Sequence, residues 1–174
     1  SLSNNSVYSV YQDSQKHIWI GTYGGGLNLF QEMPEGKARF LNRENLFESY
    51  PKDKFSRVRI IKEVNHALLI GTTEGLLSLS CNFKRPECIK FYHNVRIPNK
   101  ISSLSSNDVT HIYTDSRKKT YVLTFTGGVN QILSKNLLSN QIQFKTYTKK
   151  NGLLSDLALS MIEDKQKNLW IISE

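Results

Sequence analysis

Apolar and polar residues alternate at period two in short runs along this chain, and turn-forming Gly, Asn, Asp and Ser separate the runs. No stretch sustains the i, i+3, i+4, i+7 apolar stripe of an amphipathic helix. The pattern therefore predicts strands. One group falls near Val7–Tyr11, Ile18–Thr22, Gly26–Phe30 and Ala38–Asn42. A second lies near Val58–Lys62, Ala67–Thr72, Leu76–Ser80 and Ile89–Tyr92, and a third near Val109–Tyr113, Thr120–Thr124, Gly128–Leu133 and Ile142–Tyr147. A fourth group stops after its second strand.

The groups are copies of one unit. Val7-Tyr8-Ser9-Val10-Tyr11-Gln12-Asp13, Ile18-Trp19-Ile20-Gly21-Thr22 and Gly26-Leu27-Asn28-Leu29-Phe30 return as Val109–Asp115, Tyr121–Thr124 and Gly128–Ile132. The unit restarts at Leu159–Asp164 with Leu169–Ser173, and a weaker copy runs through Ile60–Glu63, Leu69–Thr72 and Gly75–Leu77. An acidic residue precedes a large apolar one by six positions in every copy: Asp13 and Trp19, Glu63 and Leu69, Asp115 and Tyr121, Asp164 and Trp170. Four matches on one spacing mark a true repeat.

Four-stranded units of about 40–50 residues are the signature of propeller blades. The expectation is an all-β fold, a β-propeller segment with three complete four-stranded blades and half a blade. Blade 1 covers about residues 1–50, blade 2 about 51–101, blade 3 about 102–150 and partial blade 4 about 151–174. A closed propeller has about 4–8 blades, so open sheet faces are expected at both ends. Further blades of the same protein, or a second copy forming a homodimer, would cover them.

Composition fits this picture. Of the 174 residues 39% are hydrophobic and 22% charged, which is globular, and eight Tyr, eight Phe and two Trp suit strands. The net charge of +8 is scattered, densest at Arg117-Lys118-Lys119 and Lys149-Lys150, and reads as solvated turns rather than a nucleic-acid surface. No apolar run is long enough to span a membrane, and the first residues do not read as a signal peptide. Cys81 and Cys88 bracket a polar stretch that reads as a hairpin tip, where a disulfide and two free thiols are both open. Neither they nor the four His have zinc-site spacing.

Certain residues carry a resemblance to a known family. Leu2-Ser3-Asn4-Asn5-Ser6-Val7, Asp13 with Trp19-Ile20-Gly21-Thr22, and Gly25-Gly26-Leu27 resemble the repeat of the two-component regulator propellers. So does Tyr147 with Asn151-Gly152-Leu153-Leu154-Ser155-Asp156, running into Asp164 and Trp170. The second copy has Glu63 and Leu69 in place of Asp and Trp, and the third lacks the Trp and the Gly-Thr step. The resemblance implies the periplasmic sensor region of a hybrid histidine kinase of the Bacteroides type, responding to glycan fragments. The membrane would be met only through the parent protein.

The residues themselves offer no catalytic, cofactor or metal site. Asp13, Asp115 and Asp164 lie where a first strand turns into a second, and suit turns whose amides they accept. Trp19 and Trp170 suit packing between blades. Tyr23-Gly24-Gly25-Gly26 lacks the Lys and Ser/Thr of a phosphate loop and reads as a tight strand connection. No Ser sits in a Gly-x-Ser-x-Gly elbow. Loops leading into first strands and those joining second to third strands share one side of a propeller. That side collects Asn4, Asn5, Tyr23, Glu74, Asn107, Asp108 and Phe125, polar and aromatic groups suited to a hydroxylated ligand such as an oligosaccharide. Reception of a glycan-derived ligand is the first functional expectation, a ligand-free scaffold or protein-interaction module the second, and a propeller hydrolase or lyase the third.

Overall fold

The alternating runs form fourteen strands in a computed structural model that describes all residues 1–174. The first blade holds β1 (Val7–Gln12), β2 (Ile18–Thr22), β3 (Gly26–Met33) and β4 (Lys37–Leu41), each antiparallel to the next. The second holds β5 (Val58–Val64), β6 (Ala67–Thr72), β7 (Gly75–Ser80) and β8 (Tyr92–Asn94). The third holds β9 (Val109–Thr114), β10 (Thr120–Thr124), β11 (Gly128–Ile132) and β12 (Phe144–Tyr147). A last sheet pairs β13 (Ala158–Glu163) with β14 (Leu169–Ser173). The chain is a propeller segment of three whole blades and half of a fourth.

The expected second strands coincide with β2, β6 and β10. The largest displacement is at β8, expected over Ile89–Tyr92 and found three residues later. Pro86–Cys88 makes a 3-10 turn, and Ile89 and Phe91 then bury their side chains before the chain joins the sheet. The same detour separates the cysteines. Cys81 is sealed in the core, which pushes its thiol pKa up, while Cys88 lies exposed in the turn, and both are free.

Successive first strands pack on one another, β1 on β5, β5 on β9 and β9 on β13. Between them lie three apolar cores, one per junction. Trp19, Leu27 and Leu29 meet Val58, Ile61 and Ile70, while Leu69 and Leu76 meet Val109 and Ile112. Tyr121, Leu123 and Val129 meet Ala158 and Met161. A blade is thus apolar on both faces, and each face needs a neighbour.

Close approach sets residue size at the centre of each junction. A Cβ on Gly21 would lie 3.0 Å from Val58 Cβ, and one on Gly71 would lie 2.7 Å from Val109 Cγ1. At the third junction the partners exchange sizes, with Leu123 on the second strand and Ala158 on the first, both fully buried. Each junction therefore takes one branched residue and one small one.

All four first strands also carry a bulge at one place. The register against the second strand slips so that Tyr8, Arg59, Thr110 and Leu159 leave the ladder. A bulge re-aims its extra residue, and this one recurs beside the face where the loops gather.

Candidate functional site

The acidic turn residues are fully engaged. Asp13 Oδ1 accepts from the amides of Gln15 and His17, both at 2.9 Å, while Oδ2 accepts from Trp19 Nε1 at 2.9 Å. Asp115 accepts from the amides of Arg117 and Lys119, and at 3.4 Å from the Tyr121 hydroxyl. Asp164 accepts from the Asn168 amide and from Trp170 Nε1 at 2.8 Å. The six-residue spacing is the reach of one carboxylate across its own hairpin to the aromatic ring.

The second blade departs from that alignment. Its β5–β6 hairpin closes through Asn65 and His66, both at positive φ, and Val64 occupies the place of Asp13. Glu63 stands one residue earlier, and its matching distance to Leu69 comes from a hairpin one residue shorter. Its carboxylate reaches back to the first blade, where the Ser14 amide donates at 2.7 Å and the hydroxyl at 2.5 Å. Glu163 takes the Ser116 amide and hydroxyl in the same way, each at 2.7 Å. Glu63 is therefore a clip between blades and not a turn acid.

The loop face is built by a buried polar clasp. Asn28 Oδ1 accepts from the Ser3 amide, and Asn28 Nδ2 donates to Ser3 Oγ at 2.7 Å. Asn130 repeats both bonds with Ser105. Thr22, Thr72 and Thr124, all fully buried, each fix the following turn by donating to a glycine carbonyl. Only the glycine of the Gly-Thr step is missing from the third blade. The clasp holds Leu2-Ser3 and Leu104-Ser105 down on their blades and leaves the next three residues at the surface.

On that surface the amides of Tyr23, Thr73 and Phe125 donate to the carbonyls of Ser6, Arg57 and Asp108. The segments leading into first strands therefore share a side with the turns joining second to third strands. Glu74 and Asn107 line one cleft of about 540 Å³, with Lys54, Phe55, Thr73 and His93. Asn107 and Asp108 line its neighbour of about 560 Å³, with Thr73, Arg96 and Thr126. Thr73 and Asn107 belong to both, so the two form one polar groove over the junction of blades 2 and 3. Phe125, 37% exposed, stands beside Asp108.

Asn4 and Tyr23 lie apart from that groove, on the first blade. Asn4 Oδ1 accepts from the Ser6 amide at 2.8 Å, an Asx turn, and Asn5 turns the chain into β1 through its carbonyl. Tyr23 stacks on Tyr8, ring centroids 4.7 Å apart, and the Arg57 guanidinium lies 5.6 Å from its ring centre. The groove's carboxylates are partly used. Arg59 is ion-paired with Asp108, the Ser56 amide donates to Glu74, and the Arg96 amide donates to Asn107 Oδ1.

Tyr8, Arg57 and Arg59 escaped the sequence reading. Tyr8 and Arg59 are bulge residues, and strand alternation alone assigns them to a sheet face. The signal available was position: each sits one residue beside the Val that begins a first strand. No cluster of metal-ligating side chains forms, and the four repeated hairpin positions lie in separate blades. A further concavity of about 940 Å³ lies elsewhere, on the outer edge of blade 3 between β12 and residues 96–105.

Residues 1–24 match the family model described as the two component regulator propeller. That match covers the lead-in and first hairpin of the first blade. Among solved structures, the extracellular domain of BT3049 of B. thetaiotaomicron, described as a hybrid two component system, matches 98% of this chain at TM-score 0.76 and 25% identity. The extracellular domain of BT4673 from the same organism, described once as a hybrid and once as a one component system, gives 0.71 at 21% identity. The second likeness shows the fold alone. This chain spans only 22% of the BT3049 domain and 22–23% of the BT4673 domain. No curated protein matches it. The match and the likeness make the chain similar to propeller blades in the extracellular domains of two-component systems.

Proposed function

We propose that this segment is part of the extracytoplasmic sensor region of a histidine kinase and that its loop face receives a glycan-derived ligand. The parent would sit in the inner membrane with these blades in the periplasm, and no helix of this segment is long and apolar enough to cross a membrane. One observation carries the ligand reading: Glu74, Asn107 and Asp108 share a groove that Phe55 and His93 also line. A few fixed polar groups beside an aromatic face suit a pyranose, whose hydroxyls need directed partners and whose ring face is apolar. Bound ligand would bias how blades 2 and 3 sit on each other, and that shift would pass toward the membrane.

Calorimetric titration with defined oligosaccharides cut from plant and host polysaccharides tests this. At least one should bind, and Asn107→Ala should weaken it about tenfold, the worth of one good hydrogen bond. Binding indifferent to both Asn107→Ala and Glu74→Gln would move the ligand off this face.

The Arg59–Asp108 pair and the Arg96–Asn107 bond favour a second reading, a scaffold whose polar loops tie blades together. Under it, the same two variants lower the unfolding midpoint and no oligosaccharide binds.

A further inference from the structure

The outer-edge concavity of about 940 Å³ meets the loop-face groove, because Arg96 and Ser105 line both. Three hollows therefore follow one another from Glu74, across the junction of blades 2 and 3, to the edge of β12. Each lies within the roughly 300–1,000 Å³ that suits one drug-sized ligand. In line, they suit an oligosaccharide rather than a single sugar.

The two arms of this trough differ in charge. Glu74 and Asp108 line the inner arm, whereas no carboxylate lines the outer one. Arg96, Lys100 and Lys150 line the outer arm and are exposed, and neither a hydrogen bond nor an ion pair holds any of the three side chains. Lys145 lines it too, but its ammonium lies 5.2 Å from the Tyr147 ring centre. The connecting stretches show the same contrast. Between blades 1 and 2 the chain mixes Arg43, Lys52 and Lys54 with Glu44, Glu48 and Asp53. Residues 95–107, between blades 2 and 3, hold Arg96 and Lys100 and no acid. Ile97 and Ile101, 43% and 95% exposed, add apolar surface beside the Ser102 and Thr146 side of the arm.

We propose that the outer arm seats the acid group of an anionic oligosaccharide, a carboxylate or sulfate on a sugar next to those held at Glu74 and Asn107. This rests on the reading of the loop face as a glycan groove and names the class of glycan. The planar guanidinium of Arg96 matches either oxyanion with two parallel bonds, and Lys100 and Lys150 add point charges. Attraction at so exposed a site is screened by salt, so the preference for charge should be largest in dilute buffer.

Titration calorimetry with matched pairs tests this: tetragalacturonate against its methyl ester, and a sulfated galactan tetrasaccharide against its desulfated form. In at least one pair the charged member should bind about tenfold more tightly, the worth of one charge-assisted bond. Arg96→Gln with Lys100→Gln should remove that gap, while the backbone bond from the Arg96 amide to Asn107 survives the change. Arg117→Gln with Lys119→Gln, on the β9–β10 hairpin at the other end of the blade, should leave the gap intact. Charged and uncharged members that bind equally, and weaken with Asn107→Ala, would overturn this inference and leave the glycan groove standing. A gap that the hairpin variant also removes would overturn it, as general attraction to a basic chain. A gap that needs Arg96 and Lys100 but ignores Asn107→Ala and Glu74→Gln would keep the anion seat and overturn the groove reading on which the rest depends. No binding within either pair would overturn both.

Discussion

The junction between the first and second blades and that between the third and fourth solve one problem with opposite residues. In the first, a glycine on the second strand admits a valine from the next blade; in the last, a leucine on the second strand covers an alanine. Both keep the serine–glutamate clip, and in both the hairpin carboxylate takes two turn amides and reaches for an aromatic partner. What repeats is therefore a combined volume and a set of polar bonds, and not a residue at a position. A blade can diverge in sequence as long as its neighbour diverges with it.

The largest effect should come from breaking the size match. Gly21→Val places a branched side chain against Val58 and should cost about 3 kcal/mol, the upper range for overpacking a core. Converting the first junction to the solution of the last, by Gly21→Leu with Val58→Ala, should return stability to within about 1.5 kcal/mol of wild type. Urea unfolding of the single and double variants measures the coupling. Additive losses would mean that the two residues do not share one site.

A smaller contrast separates the hairpins. Asp13→Ala strands two turn amides and the indole N–H of a wholly buried Trp19, and should cost about 3 kcal/mol. Asp115→Ala strands the same two amides, but the Tyr121 hydroxyl bond is already long at 3.4 Å, so about 1.5 kcal/mol is expected. The ranking is checked by the two urea midpoints, and equal losses would show that the aromatic bond contributes nothing.

The strands and their grouping were legible because period-two alternation and a recurring hairpin survive divergence. Second strands, apolar throughout and bounded by a buried Thr, were placed to the residue at β2, β6 and β10. Glu63 misled because two changes cancel, an acid one residue earlier and a hairpin one residue shorter, and spacing records only their sum. The common side of Glu74, Asn107, Asp108 and Phe125 followed from topology, since blade order fixes where loops emerge. Their division from Asn4 and Tyr23 did not follow, because Tyr8 and Arg59 reach the surface through bulges, and a bulge leaves no mark in alternation. The size exchange at Leu123 and Ala158 was visible only as a lost Gly-Thr step until the two residues were seen in contact.

The smallest effect uses Trp170, which has the carboxylate bond of Trp19 without its burial. The Trp170 indole and Asn168 hold Asp164 well below its ordinary value of 3.8, at about 2. A carboxylate whose pKa is lower folded than unfolded favours the folded state above the unfolded value. That contribution is lost as pH falls through the folded one. The gap in urea midpoint between wild type and Asp164→Asn should thus be constant from about pH 7 to 5 and close between about pH 4 and 2. At Asp13, burial raises the pKa, but bonds from Trp19 and His17 outweigh it and leave the value lowered, so the gap to Asp13→Asn also narrows as acid protonates the folded carboxylate. It should not close as fully. The Asp13→Asn change presents an amide where the buried indole N–H of Trp19 needs an acceptor, whereas the indole of Trp170 can turn to water. Closure at Asp164 with a remainder at Asp13 would show that one hydrogen bond differs in worth only through the blade that covers it. Equal remainders would place the difference in the hairpins themselves.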